Sequence, residues 1–140
     1  MKCEWPVVVV VDDEPASLAA VQRSLRGEPY EVLATREPEQ ALKWVDTRQV
    51  SAVITDQLMP AMAGTELLDR VSRTSPATVR IILTAYAGPT LRKPGVGRTV
   101  ECVIAKPWDA EMLRRALRGF FPKRDRRDPL EGIFPELSDS

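Results

Sequence analysis

Short runs that are almost wholly apolar alternate along this chain with longer stretches in which apolar residues recur every three or four positions. The runs are "PVVVVV" from Pro6, "YEVLAT" from Tyr30, "SAVIT" from Ser51, "VRIILT" from Val79 and "CVIA" from Cys102. Valine at Val7 through Val11 shows no period-2 alternation, so the pattern predicts a strand covered on both faces, as in a parallel sheet between two helical layers. The intervening stretches predict helices. Leu18, Val21 and Leu25 share one face of a helix over Pro15 to Arg26; Ala41, Leu42 and Val45 do so after Glu37; Leu67, Leu68 and Val71 do so after Gly64. A last helix begins at Asp109, a good N-cap, buries Leu113, Ala116, Leu117 and Phe120, and is expected to stop at Gly119 and Pro122. Eight of the prolines, among them Pro15, Pro38, Pro60 and Pro107, fall at junctions between these segments, where a missing N–H does least harm. Repeated βα units with five strands are the predicted organisation, and the fold class is α/β.

One interval breaks the rhythm. Between the fourth and fifth strands the chain reads "AGPTLRKPGVGRTVE", with Gly88, Gly95, Gly97, Pro89 and Pro94 and no sustained apolar period, so a regular helix is not expected there. From Lys123 the sequence "KRDRRDPLEGIFPELSDS" is mixed in charge and broken by proline; residues 5–122 are read as one domain and 123–140 as a linker or flexible tail.

Composition narrows the chemistry. The 140 residues suit one core-bearing domain, and 20 Lys+Arg against 20 Asp+Glu give no global charge that favours nucleic acid. The longest apolar run is far too short to span a membrane, and "MKCEWP" lacks the apolar core of a signal peptide, so a cytoplasmic location is expected. Cys3 and Cys102 make no disulfide framework, and the absence of histidine removes imidazole from catalysis and metal binding. Carboxylates, hydroxyls and lysine are left.

Those groups collect at strand ends. Asp12 and Asp13 close the first run, Asp56 closes the third, Thr84 the fourth, and Lys106 follows the fifth. In a doubly wound sheet with the first and third strands adjacent, the three carboxylates converge on the crevice where such sheets bind ligands. Their mutual repulsion would be relieved by a divalent cation, and hard oxygen ligands suit Mg²⁺. A carboxylate cluster, Mg²⁺, a hydroxyl and a lysine describe a phosphoryl site with Asp56 as nucleophile. Each member has a plainer reading alone: Asp12 and Asp13 as the start of a helix, Asp56 as a turn residue, Lys106 as a solvated cation, Thr84 as a strand-end hydroxyl. Their joint placement at matching strand ends is what favours the site.

The motifs "VVDDEP", "ITDQLMPAMAG", "ILTAY" and "AKPWD", in that order, resemble the receiver domain of bacterial two-component response regulators, over about Trp5 to Pro122. The resemblance implies a flavodoxin-like five-stranded parallel sheet of order 2-1-3-4-5 with helices on both faces. It implies that Asp56 accepts a phosphoryl group from a sensor histidine kinase or phosphotransfer protein. Asp13, Asp56 and the main-chain carbonyl of Leu58 would ligate Mg²⁺, with Asp12 acting through water. Thr84 would hydrogen-bond the phosphoryl oxygen, Lys106 would pair with it, and the Lys106–Pro107 peptide would be cis. Such a domain catalyses its own phosphorylation and dephosphorylation and turns over no external metabolite. Its further partners would be an output domain or protein of unknown kind and, through the face around the fifth strand, a second copy.

Two departures stand out. Receivers commonly carry Tyr or Phe three positions before the lysine, where this chain has Val103, and the stretch "GPTLRKPGVG" replaces a regular fourth helix. Leu58 and Tyr86 flank the path of the water that hydrolyses an aspartyl phosphate, and leucine has no group to orient it, so slow self-dephosphorylation is expected. A degenerate receiver serving as a phosphorylation-independent docking module is the alternative. A haloacid-dehalogenase-like phosphatase fits less well, since its aspartates are spaced D-x-D after the first strand.

Overall fold

The computed structural model describes residues 5–85 and 99–121. The segment where no regular fourth helix is expected, Tyr86, Cys3, Pro122 and the tail all lie outside these residues.

Five strands form one parallel sheet: β1 (Val7–Val11), β2 (Glu31–Thr35), β3 (Ala52–Asp56), β4 (Val79–Thr84) and β5 (Cys102–Ala105), in the order β2-β1-β3-β4-β5. Helices α1 (Pro15–Leu25), α2 (Pro38–Thr47), α3 (Gly64–Thr74) and α4 (Ala110–Phe120) complete the described elements. The sheet is doubly wound and flavodoxin-like, as expected. All five valines of β1 are buried, and the reason is visible in how they divide. Val7, Val9 and Val11 join Ala41, Val45, Leu67 and Val71 in a core beneath α2 and α3. Val8 and Val10 join Leu18, Val21, Leu25, Leu113 and Leu117 beneath α1 and α4. Alternate side chains of one strand thus feed two cores, and neither face is left for polar residues.

The last helix ends within the expected interval between Gly119 and Pro122: α4 runs to Phe120 with Phe121 as its C-cap. Phe121 is buried edge-on against Tyr30, with ring centroids 5.3 Å apart, a contact that docks the end of the helix on the core. At the other end Asp109 caps the helix as predicted, accepting from the Glu111 N–H at 3.0 Å. Trp44 and Trp108 pack against the two cores, as expected of them, and Trp5 is half exposed.

At the amino ends of β4 and β5 the buried Arg80 ties several strands of chain together. Its Nε donates to the Thr99 carbonyl at 2.9 Å, and its Nη1 donates to the carbonyls of Thr78 at 2.8 Å and Pro76 at 3.1 Å. The Glu101 carboxylate accepts from the Arg80 N–H at 2.9 Å.

Gly64 opens α3 where the chain turns back under the end of β3. A Cβ at this position would run into the main-chain carbonyl of Asp56, with the carbonyl carbon at 3.0 Å and Gln57 Cα at 3.1 Å. The Gly64 N–H donates to the Gln57 carbonyl at 2.9 Å, and the Gln57 side chain accepts from the Thr65 N–H at 2.9 Å. Gly64→Ala is therefore expected to destabilise by about 1–3 kcal/mol, the usual range for forcing atoms into a filled site. Gly119→Ala, in a helix and with nothing near the added carbon, is expected to stabilise by about 0.5–1 kcal/mol. Urea denaturation of the two variants checks both signs; equal behaviour would refute the close approach at Asp56.

Candidate functional site

Register brings the predicted residues together. Val11 is level with Thr55 in the β1–β3 pairing, so Asp12 comes level with Asp56 one step on. Asp56 is level with Leu83 and Thr84 with Ala105, so Thr84 ends β4 one residue beyond the level of Asp56 and Lys106 follows β5 one residue beyond the level of Thr84. The crevice between β1 and β3 is the point where the winding of the sheet reverses, the place where sheets of this topology bind ligands.

Asp12, Asp13 and Asp56 each offer a carboxylate oxygen, and these atoms lie within 4.8 Å of one another. Asp12 is buried, and Asp13 and Asp56 are half-buried. The Lys106 ammonium bridges two of them, 3.2 Å from Asp56 Oδ1 and 3.4 Å from Asp12 Oδ2. The other Asp12 oxygen accepts from the N–H of Glu14, the residue that precedes α1, at 3.0 Å. The main chain around the acids is also fixed. The Asp12 N–H donates to the Thr35 carbonyl at 3.2 Å, and Arg36 Nε donates to the Asp13 carbonyl at 3.0 Å. Lys106 N–H donates to the Thr84 carbonyl at 2.9 Å, and the Lys106–Pro107 peptide is cis. Thr84 is buried, and the Leu58 side chain is 58% exposed beside the site.

Electrostatics follow from this packing. Burial pushes the Asp12 carboxyl above its ordinary range and Asp56 adds to the rise, while the Glu14 N–H and Lys106 oppose it. Burial alone would lower the Lys106 ammonium, but the charges of Asp12 and Asp56 outweigh it and hold the ammonium above its usual value. The donor set is three carboxylates, hard oxygens of the type that Mg²⁺ takes, and one bears a pKa raised by its surroundings. The residues present fit such a cation.

The sequence reading assigned no role to Arg36 or Gln57. Arg36 lies outside the quoted motifs, and Gln57 and Gly64 lie within "ITDQLMPAMAG" without a stated role. Arg36 acts on a main-chain carbonyl and Gln57 on the first turn of α3, contacts that exist only once β2 and α3 are in place.

A family model described as "Response regulator receiver domain" matches residues 8–118. The chain is 33% identical over 119 residues to the hydrogenase transcriptional regulatory protein HoxA of Cupriavidus necator, covering 84% of this chain and 24% of that protein. It is 29% identical over 123 residues to the transcriptional regulatory protein TcrA of Mycobacterium tuberculosis, covering 88% of this chain and 47% of that one. The chain thus spans less than half the length of either relative. Among solved structures it resembles the signal receiver domain of an HD domain-containing protein from Pseudomonas fluorescens, with a TM-score of 0.76 and 32% identity over 83% of this chain and 94% of that one. It also resembles the response regulator TrrA of Thermotoga maritima in complex with Mg²⁺-BeF, with a TM-score of 0.74 and 25% identity over 82% and 98% of the two chains. Among the described residues no helix is long and apolar enough to cross a membrane.

The raised Asp12 pKa gives a stability prediction with a definite sign. A carboxyl whose folded pKa lies above its unfolded value binds a proton more tightly in the folded state, so the folded state gains stability as pH falls through the folded pKa toward the unfolded value of 3.8. Above that window the ionised, buried carboxylate opposes folding. With a chelator present, Asp12→Asn is expected to raise the urea midpoint at neutral pH and to flatten this limb of the pH dependence. A lowered midpoint at neutral pH would show that the Lys106 pairing outweighs burial.

Proposed function

Because this chain belongs to the response regulator receiver domain family, we propose that it is a phosphoacceptor module of a two-component system, with Asp56 as the acceptor. The observation that carries the reading is the Lys106 ammonium set between Asp12 and Asp56, within a group of three carboxylates at the strand ends. An Asp56 carboxylate oxygen attacks phosphorus of a phosphohistidine; the O–P bond forms as the N–P bond breaks, and the imidazole nitrogen leaves with the electron pair. Asp12, Asp13, Asp56 and the Leu58 carbonyl are the residues proposed to hold Mg²⁺. When bound, the cation would offset carboxylate repulsion and the charge on the transferring oxygens.

The chain's own groups do the rest. Lys106 balances negative charge on one side of the acceptor and is held there by the two carboxylates it already pairs with. Thr84, one residue beyond the level of Asp56 on the neighbouring strand, is proposed to hydrogen-bond a phosphoryl oxygen. Arg36 and Gly64 keep the backbone of Asp13 and Asp56 in position from behind. A sensor histidine kinase or phosphotransfer protein would supply the phosphoryl group, and a cytoplasmic location fits that role. An output domain or partner protein would read the result. The docking-module alternative drew on Val103 and on residues 86–98; the complete acidic cluster and its lysine argue against it.

Incubation of the chain with acetyl phosphate and Mg²⁺ is expected to add one phosphoryl group by intact mass, and both Asp56→Asn and a chelator are expected to abolish it. No adduct, together with no binding of a stable beryllofluoride mimic, would overturn the assignment. The Leu58 side chain offers no polar group to align an attacking water, so the adduct should be long-lived, and Leu58→Asn should shorten its lifetime severalfold. An unchanged lifetime in that variant would sink the account of slow hydrolysis.

A further inference from the structure

Strand β5 does little by itself to hold the turn that carries Lys106. Among the described residues it is an edge strand, hydrogen-bonded to β4, and Ile104 is the one buried residue of its four. Beyond it the main-chain bond from Lys106 to Thr84 fixes the strand end, and Pro107 and Trp108 then lead into α4. The Trp108 indole packs on the core beneath α1 and α4, and its Nε1 donates to Ser24 Oγ at 3.3 Å. Ser24 is suited to receive it. This buried residue of α1 already donates its hydroxyl proton to the Ala20 carbonyl at 2.9 Å, so its oxygen is the acceptor toward the indole. Its own carbonyl accepts from Arg114 Nη1 at 3.0 Å, so one residue of α1 grips both the turn and α4.

The indole is only partly enclosed. A groove of about 400 Å³, bordered by Ala20, Arg23, Pro107 and Ala110, lies alongside it. An aromatic ring with open space beside it and one polar anchor takes its position from that anchor.

We propose that Trp108, anchored on Ser24, is a positioning residue for Lys106: it fixes the turn that aims the ammonium between Asp12 and Asp56. Because the contact runs through α1, it ties the charge balance of the site to the α1–α4 side of the sheet. The catalytic consequence rests on the phosphoacceptor reading, whereas the placement of Lys106 does not.

The test compares the 140-residue chain with Trp108→Phe, which keeps an aromatic ring but loses the N–H, and with Ser24→Ala. Acylation by N-hydroxysuccinimidyl acetate, followed by mass spectrometry, reads each lysine separately. In the parent chain the paired Lys106 is expected to react more slowly than the exposed Lys43. Either substitution should raise the Lys106 rate roughly fivefold, the effect of losing one hydrogen bond, and leave Lys43 unchanged. The double variant should add little, since both changes remove the same bond. An unchanged Lys106 rate, or a rise shared by every lysine, would overturn the proposal. Acetyl phosphate then provides a second reading. The initial phosphorylation rate should fall by a similar factor in Trp108→Phe and lose that sensitivity in a Lys106→Ala background; an equal loss in both backgrounds would also overturn it. If the parent chain takes no phosphoryl group at all, the phosphoacceptor reading fails while the labelling result still decides whether Trp108 places Lys106.

Discussion

Like charge held at close range is the constraint around which this chain is arranged. Three carboxylate oxygens within 4.8 Å of one another repel, and burying one of them makes the ionised state costlier still. The nearest compensation comes from an ammonium whose backbone is two strands away from Asp56 and three from Asp12. Neighbouring strands lie about 4.8 Å apart, so the lysine must reach inward over the end of β4. A strand end occupied by Thr84, a small residue, leaves that route short. The length and flexibility of a lysine stem suit the task, and the fork of an arginine would not make the same single-point contact to two acids.

Along β1 everything beneath this cluster is apolar, and that division of labour is what makes the cluster sustainable. The parallel sheet uses alternate valines of β1 for two separate cores, so the central strands are rigidly packed on both sides up to Val11, and polarity begins at the next residue. The site therefore stands on a floor that cannot shift to relax the repulsion. Relief has to come from groups added above it, either the Lys106 ammonium or a cation.

Most of this was legible in the sequence because the signals were local and periodic. Unbroken apolar runs gave the five strands, and prolines with three-to-four spacing gave the described helices to within a residue or two. The site residues were legible for a related reason: in a parallel sheet the carboxyl ends of strands share one edge, so strand boundaries alone bring Asp12, Asp56, Thr84 and Lys106 together. What was not legible depends on contacts between distant elements. Arg36 supports Asp13 through a main-chain carbonyl, Gly64 is needed because of the Asp56 carbonyl, and Ser24 acquires its role from a tryptophan 84 residues later.

Both ends of the β4–β5 pair are held by side chains that reach across elements. At the amino ends the buried Arg80 donates to three carbonyls and Glu101 accepts from its main-chain N–H, so losing this one side chain would strand several polar groups at once. At the carboxyl ends Lys106 donates its N–H to the Thr84 carbonyl and pairs through its ammonium with Asp12 and Asp56, and Trp108, two residues on, reaches Ser24 of α1. On the proposed reading, charge at Asp56 is tied to α1 and α4 through Lys106 and Trp108 rather than through an aromatic on β5, where this chain has Val103.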